Sequence, residues 1–370
     1  MTGATKVLFL AHTGQVSGAE KVLLDLIGEA QRGGLDVIVA CPSGRLSESL
    51  PNGVRHVKIS QLGLGGERGL ARGLATVRLV YRWIDAGRKL RSLARADDTE
   101  TVVNSLFALP VARLARPARG ASWLVHDTMT SSKQRAVVAI SKPAIRIAVS
   151  VSDATAAPLR AANVPVLVSH NGVRWPVPQF GGELHDPPVI GMLALLTEWK
   201  GHRVLLDAAA TLPGIRVELA GGSFPGDAEY VAELSSRAGQ QDLAGRVEFL
   251  GHIDPDTALQ RWDVVVSAST SPEAGPLSVL EAMSHGLPVV GTDHGGTSEF
   301  LTGGAGILVE PGNSVSLAEA LDSVLADETL RRSIADAART RVAAEHDLSV
   351  TLPALLDKLI SRRYVAPVES

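Results

Sequence analysis

A single cysteine, Cys41, stands among 370 residues, so no intrachain disulfide and no cysteine-based zinc site is available. Its place at the end of the apolar run Val37 to Cys41 reads as a small buried hydrophobe. Aromatic residues are scarce, at 4%, and no base-stacking or groove-reading motif accompanies them, which argues against a nucleic-acid binder. No apolar run nears the roughly 18 residues of a membrane span. Val7 to Ala11, followed by His12 and Gly14, reads as a buried strand and not as the core of a secretion signal. A cytoplasmic protein is therefore expected. The ten histidines are scattered, without His-x-Glu-x-x-His spacing, and no Asp-x-Asp stands between strands. Neither a metal nor a cofactor is expected.

What is present is alternation. Apolar residues make up 45% and charged residues 20%, the balance of a globular protein, and the length suits two domains with a core each. Strands are expected at Lys6 to Ala11 and Asp36 to Ala40, with a helix at Ser17 to Arg32. Further strands are expected at Val189 to Leu193, Arg216 to Ala220, Arg246 to Leu250, Val264 to Ser267 and Pro288 to Gly291. Repeated βαβ units of this kind give parallel, doubly wound sheets, with ligands beyond the carboxyl ends of the strands. The fold class is α/β with two Rossmann-like domains. Arg174 to Pro188, rich in Pro and Gly, resists regular structure and holds the boundary.

Charge is unevenly spread. Residues 1–175 carry 23 Lys and Arg against 12 Asp and Glu, +11, and residues 176–370 carry 13 against 27, −14. The excess points the N-terminal half toward an anionic surface or acceptor; two differently charged domains would also account for it. Its densest segment is 68–95, with Arg68, Arg72, Arg78, Arg82, Arg88, Lys89, Arg91 and Arg95. Leu70, Leu74, Val77, Tyr81 and Ile84 recur there at helical spacing. This is either a basic amphipathic helix lying on a membrane or a core-packed helix with a solvated basic face.

The stretch Ser271 to Glu299 carries the densest signal. Gly275 permits close backbone approach, and Pro276 suits the first position of an apolar helix. The amides of Leu277 and Ser278 then point outward and can hold a diphosphate. Glu273 precedes the helix end, and Glu281, more than a turn inside, can accept two hydrogen bonds from a ribose diol. An ordinary βα unit with two solvated glutamates is the bland alternative. Lys200, after a strand and before Gly201, offers a point charge. Near the N-terminus, Gly14 and Gly18 flank a strand–helix turn in which Ser17 and Glu20 can form a capping box.

The stretch resembles the E-x7-E signature of glycosyltransferase family 4, retaining enzymes of the GT-B type. The likeness extends to Ile190–Gly191–Met192 with Trp199–Lys200–Gly201, to Val217 through Gly222, to Val247 through Gly251, to Asn171–Gly172–Val173 and to the glycine loop Gly14 to Glu20. It implies two domains facing a cleft. The N-terminal domain, 1–175, would bind the acceptor, with a last helix, about 353–370, packed back on it. After a linker at 176–188, the C-terminal domain, 189–352, would bind the nucleotide sugar. It implies metal-independent transfer, with retention, of a sugar from a nucleotide-diphosphate sugar to an acceptor hydroxyl, in cell-surface glycan or glycolipid synthesis. The acceptor would be anionic or lipid-linked, met at the inner membrane surface. A natural-product glycosyltransferase, a sugar-nucleotide epimerase and a silent sugar-nucleotide-binding partner are the alternatives.

By the same resemblance, Glu273 and His126 contact the donor sugar, Lys200 and the helix amides the diphosphate, and Glu281 the ribose. Gly14 and Gly222 lie beside the donor. Asn104 and Asp127 are weaker candidates, the latter equally a helix cap. The family's usual arginine, five positions before the lysine, is here Leu195. His202, Arg203 or a basic residue of the N-terminal domain would have to compensate.

Overall fold

The computed structural model describes residues 6–63, 69–180 and 182–360. It divides into two compact units, Met1–His170 with Val350–Ser370, and Asn171–Ser349. In the N-terminal unit the strands are β1 (Lys6–Leu10), β2 (Asp36–Cys41), β3 (Arg55–Lys58), β4 (Thr99–Val103), β5 (Ala121–Val125), β6 (Ile145–Ser150) and β7 (Val166–Val168). They lie parallel in the order β3-β2-β1-β4-β5-β6-β7. In the C-terminal unit they are β8 (Val189–Leu193), β9 (Arg216–Ala220), β10 (Val247–Gly251), β11 (Val264–Ser267), β12 (Val289–Thr292) and β13 (Ile307–Val309). Their order is β10-β9-β8-β11-β12-β13, again parallel. Both units are Rossmann-like α/β sheets, as the alternation implies. Helices cover both faces, so the central strands read as unbroken apolar runs; all five residues of β4 and of β5 are buried.

Each sheet reverses its strand order once. The reversal falls between β1 and β4 in the N-terminal unit and between β8 and β11 in the C-terminal unit. Connections from the two central strands leave in opposite directions there, which opens a crevice at their carboxyl ends.

The helix Leu348–Ile360 starts five residues before the expected Pro353 and keeps that proline inside. Leu352, Leu355, Leu356 and Leu359 are buried. The Leu359 carbonyl accepts from Ser122 Oγ at 2.5 Å and from Arg146 Nη2 at 2.7 Å. Those bonds secure the end of the helix in the N-terminal unit. Residues 361–370 of the expected helix lie outside the described residues. The Pro/Gly-rich stretch falls in the C-terminal unit, without helix or strand. There Phe180 stacks on His285 at 3.9 Å and Arg339 lies over Trp175 at 4.6 Å; Gly181 is outside the described residues. Cys41 is buried, and burial pushes its thiol up to about 11.

The basic helix, Gly69–Ala94, packs on the core, but through another face than the periodic residues mark. Leu79, Ala86, Leu90 and Ala94 face the core at 3% exposure or less. Leu74, Val77 and Tyr81, periodic in sequence, are 62%, 69% and 69% exposed. The helix therefore has two apolar faces, and period alone could not say which one the core takes. Arg68 lies outside the described residues.

Gly191 shows how tightly the second core is closed. A Cβ there would sit 1.7 Å from Trp262 Cδ2. Trp262 is fully buried and donates from Nε1 to Glu218 at 2.9 Å. Gly191→Ala must displace the indole and strain that bond, so a loss of about 2–4 kcal/mol is expected in urea unfolding. A loss under about 0.5 kcal/mol would show that the strand yields instead.

Candidate active site

The C-terminal unit places its reactive side chains at its switch point. After β8 the chain forms a short 3-10 turn, Glu198–Lys200, that ends at Gly201 with φ 78°. A Cβ on Gly201 would lie 1.9 Å from the Ala268 carbonyl. Only glycine lets the loop after β8 press against the end of β11. Thr270 N–H donates to the Trp199 carbonyl at 2.8 Å, tying the two loops. Lys200 Nζ then lies 2.7 Å from both carboxylate oxygens of Glu273 and 4.3 Å from the Trp199 ring centre. The two side chains are 15% and 9% exposed. Ser269 Oγ donates to Glu273 Oε1, and Ser269 in turn accepts at its carbonyl from Thr292 Oγ1 at 2.9 Å.

Sequence reasoning gave Lys200 and Glu273 separate duties, and the structure joins them as one ion pair. Glu273 is held by its backbone as well. Gly295, at φ 60°, would carry a Cβ only 2.3 Å from the Glu273 carbonyl, and that carbonyl accepts from Gly296 N–H at 2.8 Å. Gly295 and Gly296 open the helix Gly295–Leu301.

The helix behind Glu273 is Leu277–Ser284, with Pro276 as its N-cap. Pro276 thus stands one place before the first helical position expected for it. No side chain caps this end, so the leading amides of Leu277 and Ser278 stay available to an anion. Asn171 fixes the approach, donating from Nδ2 to the Gly275 carbonyl at 2.8 Å. Glu281 lies half-buried inside the helix. Of the glycine turn after β9, Gly221 carries the steric demand, since its Cβ would meet the Ala194 carbonyl at 1.9 Å; Gly222 faces open space.

Neither candidate within this unit replaces the missing arginine. His202 is fully buried, and desolvation first, then the Lys200 charge, lowers its pKa to about 4. It is neutral near pH 7. Arg203 points outward and pairs with Glu233.

In the N-terminal unit, Gly14 packs against the Pro42–Gly44 turn, with a Cβ 2.6 Å from the Ser43 carbonyl. That contact explains the glycine without a ligand. Glu20 Oε2 accepts from Ser17 N–H at 3.2 Å and Ser17 Oγ at 2.5 Å, the acidic half of the expected capping box. Asp127 caps a different segment from the one expected: its Oδ2 accepts from Leu106 N–H at 3.2 Å. Burial lowers His126 to about 4, and its Nε2 is shielded without a partner. Asn104 is 2% exposed and donates to the Ala19 carbonyl at 3.3 Å.

Three residues that brace Lys200, Glu273 and Gly275 were missed: Ser269, Trp199 and Asn171. Trp199 and Asn171 stood inside quoted motifs, and the end of β11 marks Ser269. Nothing in the sequence gave them partners.

A paired lysine and glutamate beside an open helix end, at a switch point, is an arrangement for holding an anion next to a carboxylate. Residues 173–341 match the family model described as glycosyl transferases group 1. Among named relatives, the lipopolysaccharide core biosynthesis glycosyltransferase LpsE of Rhizobium meliloti is 31% identical over 48% of this chain and 51% of its own. A D-inositol 3-phosphate glycosyltransferase of Corynebacterium urealyticum is 34% identical over 42% of this chain and 39% of its own. The matched region thus spans about half or less of each relative's length. Among solved structures, Anabaena Alr3699/HepE in complex with UDP and glucose aligns with a TM-score of 0.81 at 23% identity, covering 97% of this chain and all of that one. WaaG, a glycosyltransferase involved in lipopolysaccharide biosynthesis, aligns at 0.72 and 15%, over 96% and all. Both alignments run through the two units and agree with their fold.

Proposed function

We propose that the chain is a glycosyltransferase of the family 4 kind. It moves a sugar from a nucleotide-diphosphate sugar to an acceptor hydroxyl, with retention and without a metal ion. The observation that carries this reading is the Lys200–Glu273 pair beside the uncapped amides of Leu277 and Ser278. In it, Lys200 and those amides hold the diphosphate, Gly275 and Pro276 shape the approach, and Gly222 leaves room for the phosphates. Glu281 takes the ribose, and Glu273 serves the transferred sugar. Electrostatic groups of this type replace the charge a divalent ion would bring.

The test is a calorimetric screen of nucleotide sugars followed by product analysis, with Glu281→Ala as a binding control. Binding and transfer are expected to persist in excess EDTA. Activity lost to the chelator and restored by Mg²⁺ or Mn²⁺ would sink the metal-free mechanism.

The acceptor and its location belong to the same proposal. None of the described helices is long and apolar enough to cross a membrane. The helix Gly69–Ala94 nonetheless presents Leu74, Val77 and Tyr81 outward, with Arg72, Arg78 and Arg88 also exposed. Asp85 is its one acidic residue against six basic ones. Apolar side chains ringed by arginine suit an anionic bilayer surface. Sedimentation with anionic vesicles is expected to capture the protein, and Val77→Glu with Tyr81→Glu to abolish capture. Equal, negligible binding to anionic and neutral vesicles would leave a soluble acceptor.

A further inference from the structure

The peptide that leads into the helix Leu277–Ser284 has a single polar handle. Pro276 has no N–H, so the Gly275–Pro276 peptide can be held only by the Gly275 carbonyl. That carbonyl accepts from Asn171 Nδ2 at 2.8 Å, across 104 positions of sequence. Asn171 is 4% exposed. A carbonyl can only accept, so the amide must turn its NH₂ group toward Gly275. In doing so it leaves its own Oδ1 shielded without a partner. An unmade hydrogen bond in a buried place is costly. The side chain forgoes that bond and keeps the one to Gly275.

The same peptide is pressed from its other side by the start of the helix Gly295–Leu301. Gly296 N–H donates to the Glu273 carbonyl at 2.8 Å. A Cβ on Gly296 would stand 2.4 Å from the Ala274 carbonyl and 3.0 Å from Gly275 Cα. That helix also reaches Asn171. Phe300 meets His346 edge-on, with ring centres 5.0 Å apart. His346 is 1% exposed, and its Nδ1 donates to the Asn171 carbonyl at 2.8 Å. Val173 N–H donates to the His346 carbonyl and Leu348 N–H to the Val173 carbonyl, both at 2.9 Å. The contacts close a ring that runs from Gly275 through the helix, Phe300, His346 and Asn171 back to Gly275. The Asn171 amide is its last link.

The carbonyl so held has the wrong polarity for an anion. Two and three residues further on, the amides of Leu277 and Ser278 present positive ends. A Gly275 carbonyl turned into the same space would oppose whatever anion those amides attract. Bound to Asn171, it is occupied by a donor, and the peptide plane before the helix is fixed.

We propose that Asn171 is a positioning residue of the diphosphate site. By holding the Gly275 carbonyl, it presents the leading amides, and not a carbonyl, to the anion. This rests on the glycosyltransferase reading and deepens it.

The probes are inorganic pyrophosphate, UDP, GDP and ADP, titrated into the full chain by calorimetry, with the matching nucleosides followed by saturation-transfer NMR. The parent is expected to bind pyrophosphate and at least one nucleoside diphosphate. Asn171→Ala, checked for folding by thermal denaturation, is expected to weaken both by about tenfold or more. The matching nucleoside is expected to shift by less than about twofold, since it lacks the phosphates. Asn171→Asp reads the mechanism, and carries the test alone if Asn171→Ala does not fold. Ionised, its carboxylate repels the carbonyl; protonated, its O–H can donate to it. Burial raises a carboxyl pKa, so its affinity for the diphosphate, relative to the parent at the same pH, should recover between about pH 8 and about pH 5. A residue that merely fills space would give no such recovery. The proposal is overturned if diphosphate affinity stays within about twofold of the parent, if nucleoside binding falls in step with it, or if the Asn171→Asp deficit is the same at both pH values. Pyrophosphate binding that depends on Asn171, with no nucleoside diphosphate bound, would keep the brace and strike the glycosyltransferase reading. A parent that binds none of the probes overturns both.

Discussion

Lys200→Ala should lower turnover by about 100–1,000-fold or more with KM for the nucleotide sugar changed far less. The magnitude follows from what surrounds the lysine. A diphosphate leaving group gains charge as its bond to the sugar breaks, and only a positioned cation or amide can offset that charge in a site closed to water. Leu195 stands where a partner cation would be expected. His202 is neutral, with its pKa pushed to about 4, and Arg203 is drawn off by Glu233. On the proposed reading, the load within the C-terminal unit falls on Lys200 and the leading amides of the helix Leu277–Ser284. Steady-state kinetics on Lys200→Ala and on Leu195→Arg provide the check. Near-normal turnover in Lys200→Ala would remove the lysine from the mechanism. A silent parent that gains turnover as Leu195→Arg would favour the binding-partner alternative.

How much of this was legible in sequence depends on range. Strand positions were readable because doubly covered parallel strands leave unbroken apolar runs; β8, β9 and β11 lie where the pattern puts them. The identity of Lys200 and Glu273 was readable from motif context. Their contact was not, since 73 positions separate them and only the β8–β11 adjacency brings them together. What Gly201 and Gly295 face is not local to either in sequence. Each proves to be the point where two loops press within the width of a methyl group. The basic helix failed differently. Its period was right, but a helix with two apolar faces gives no phase, and the core took the face of Leu79 and Leu90. The capping readings split for a related reason. Ser17 and Glu20 are local, and were found together; Asp127 reaches back 21 positions to Leu106, beyond any local rule.

The Lys200–Glu273 pair should also be the most energetically coupled contact of the C-terminal unit. Both side chains are largely buried, at 15% and 9% exposure. Removing one partner leaves the other charge short of compensation in a poorly hydrated place, which typically costs about 3–5 kcal/mol. Glu273→Ala should reach that range, since Lys200 keeps only the Trp199 ring 4.3 Å away. Lys200→Ala should cost less, because the Glu273 carboxylate retains the Ser269 hydroxyl. The double variant removes both charges and should be more stable than the sum of the singles predicts, by about 1–3 kcal/mol. Urea unfolding of the four proteins, without nucleotide, measures this directly. Additivity within about 0.5 kcal/mol would mean that the two groups do not hold each other in solution. The diphosphate would then find Lys200 already released, and Glu273 would have no part in placing it.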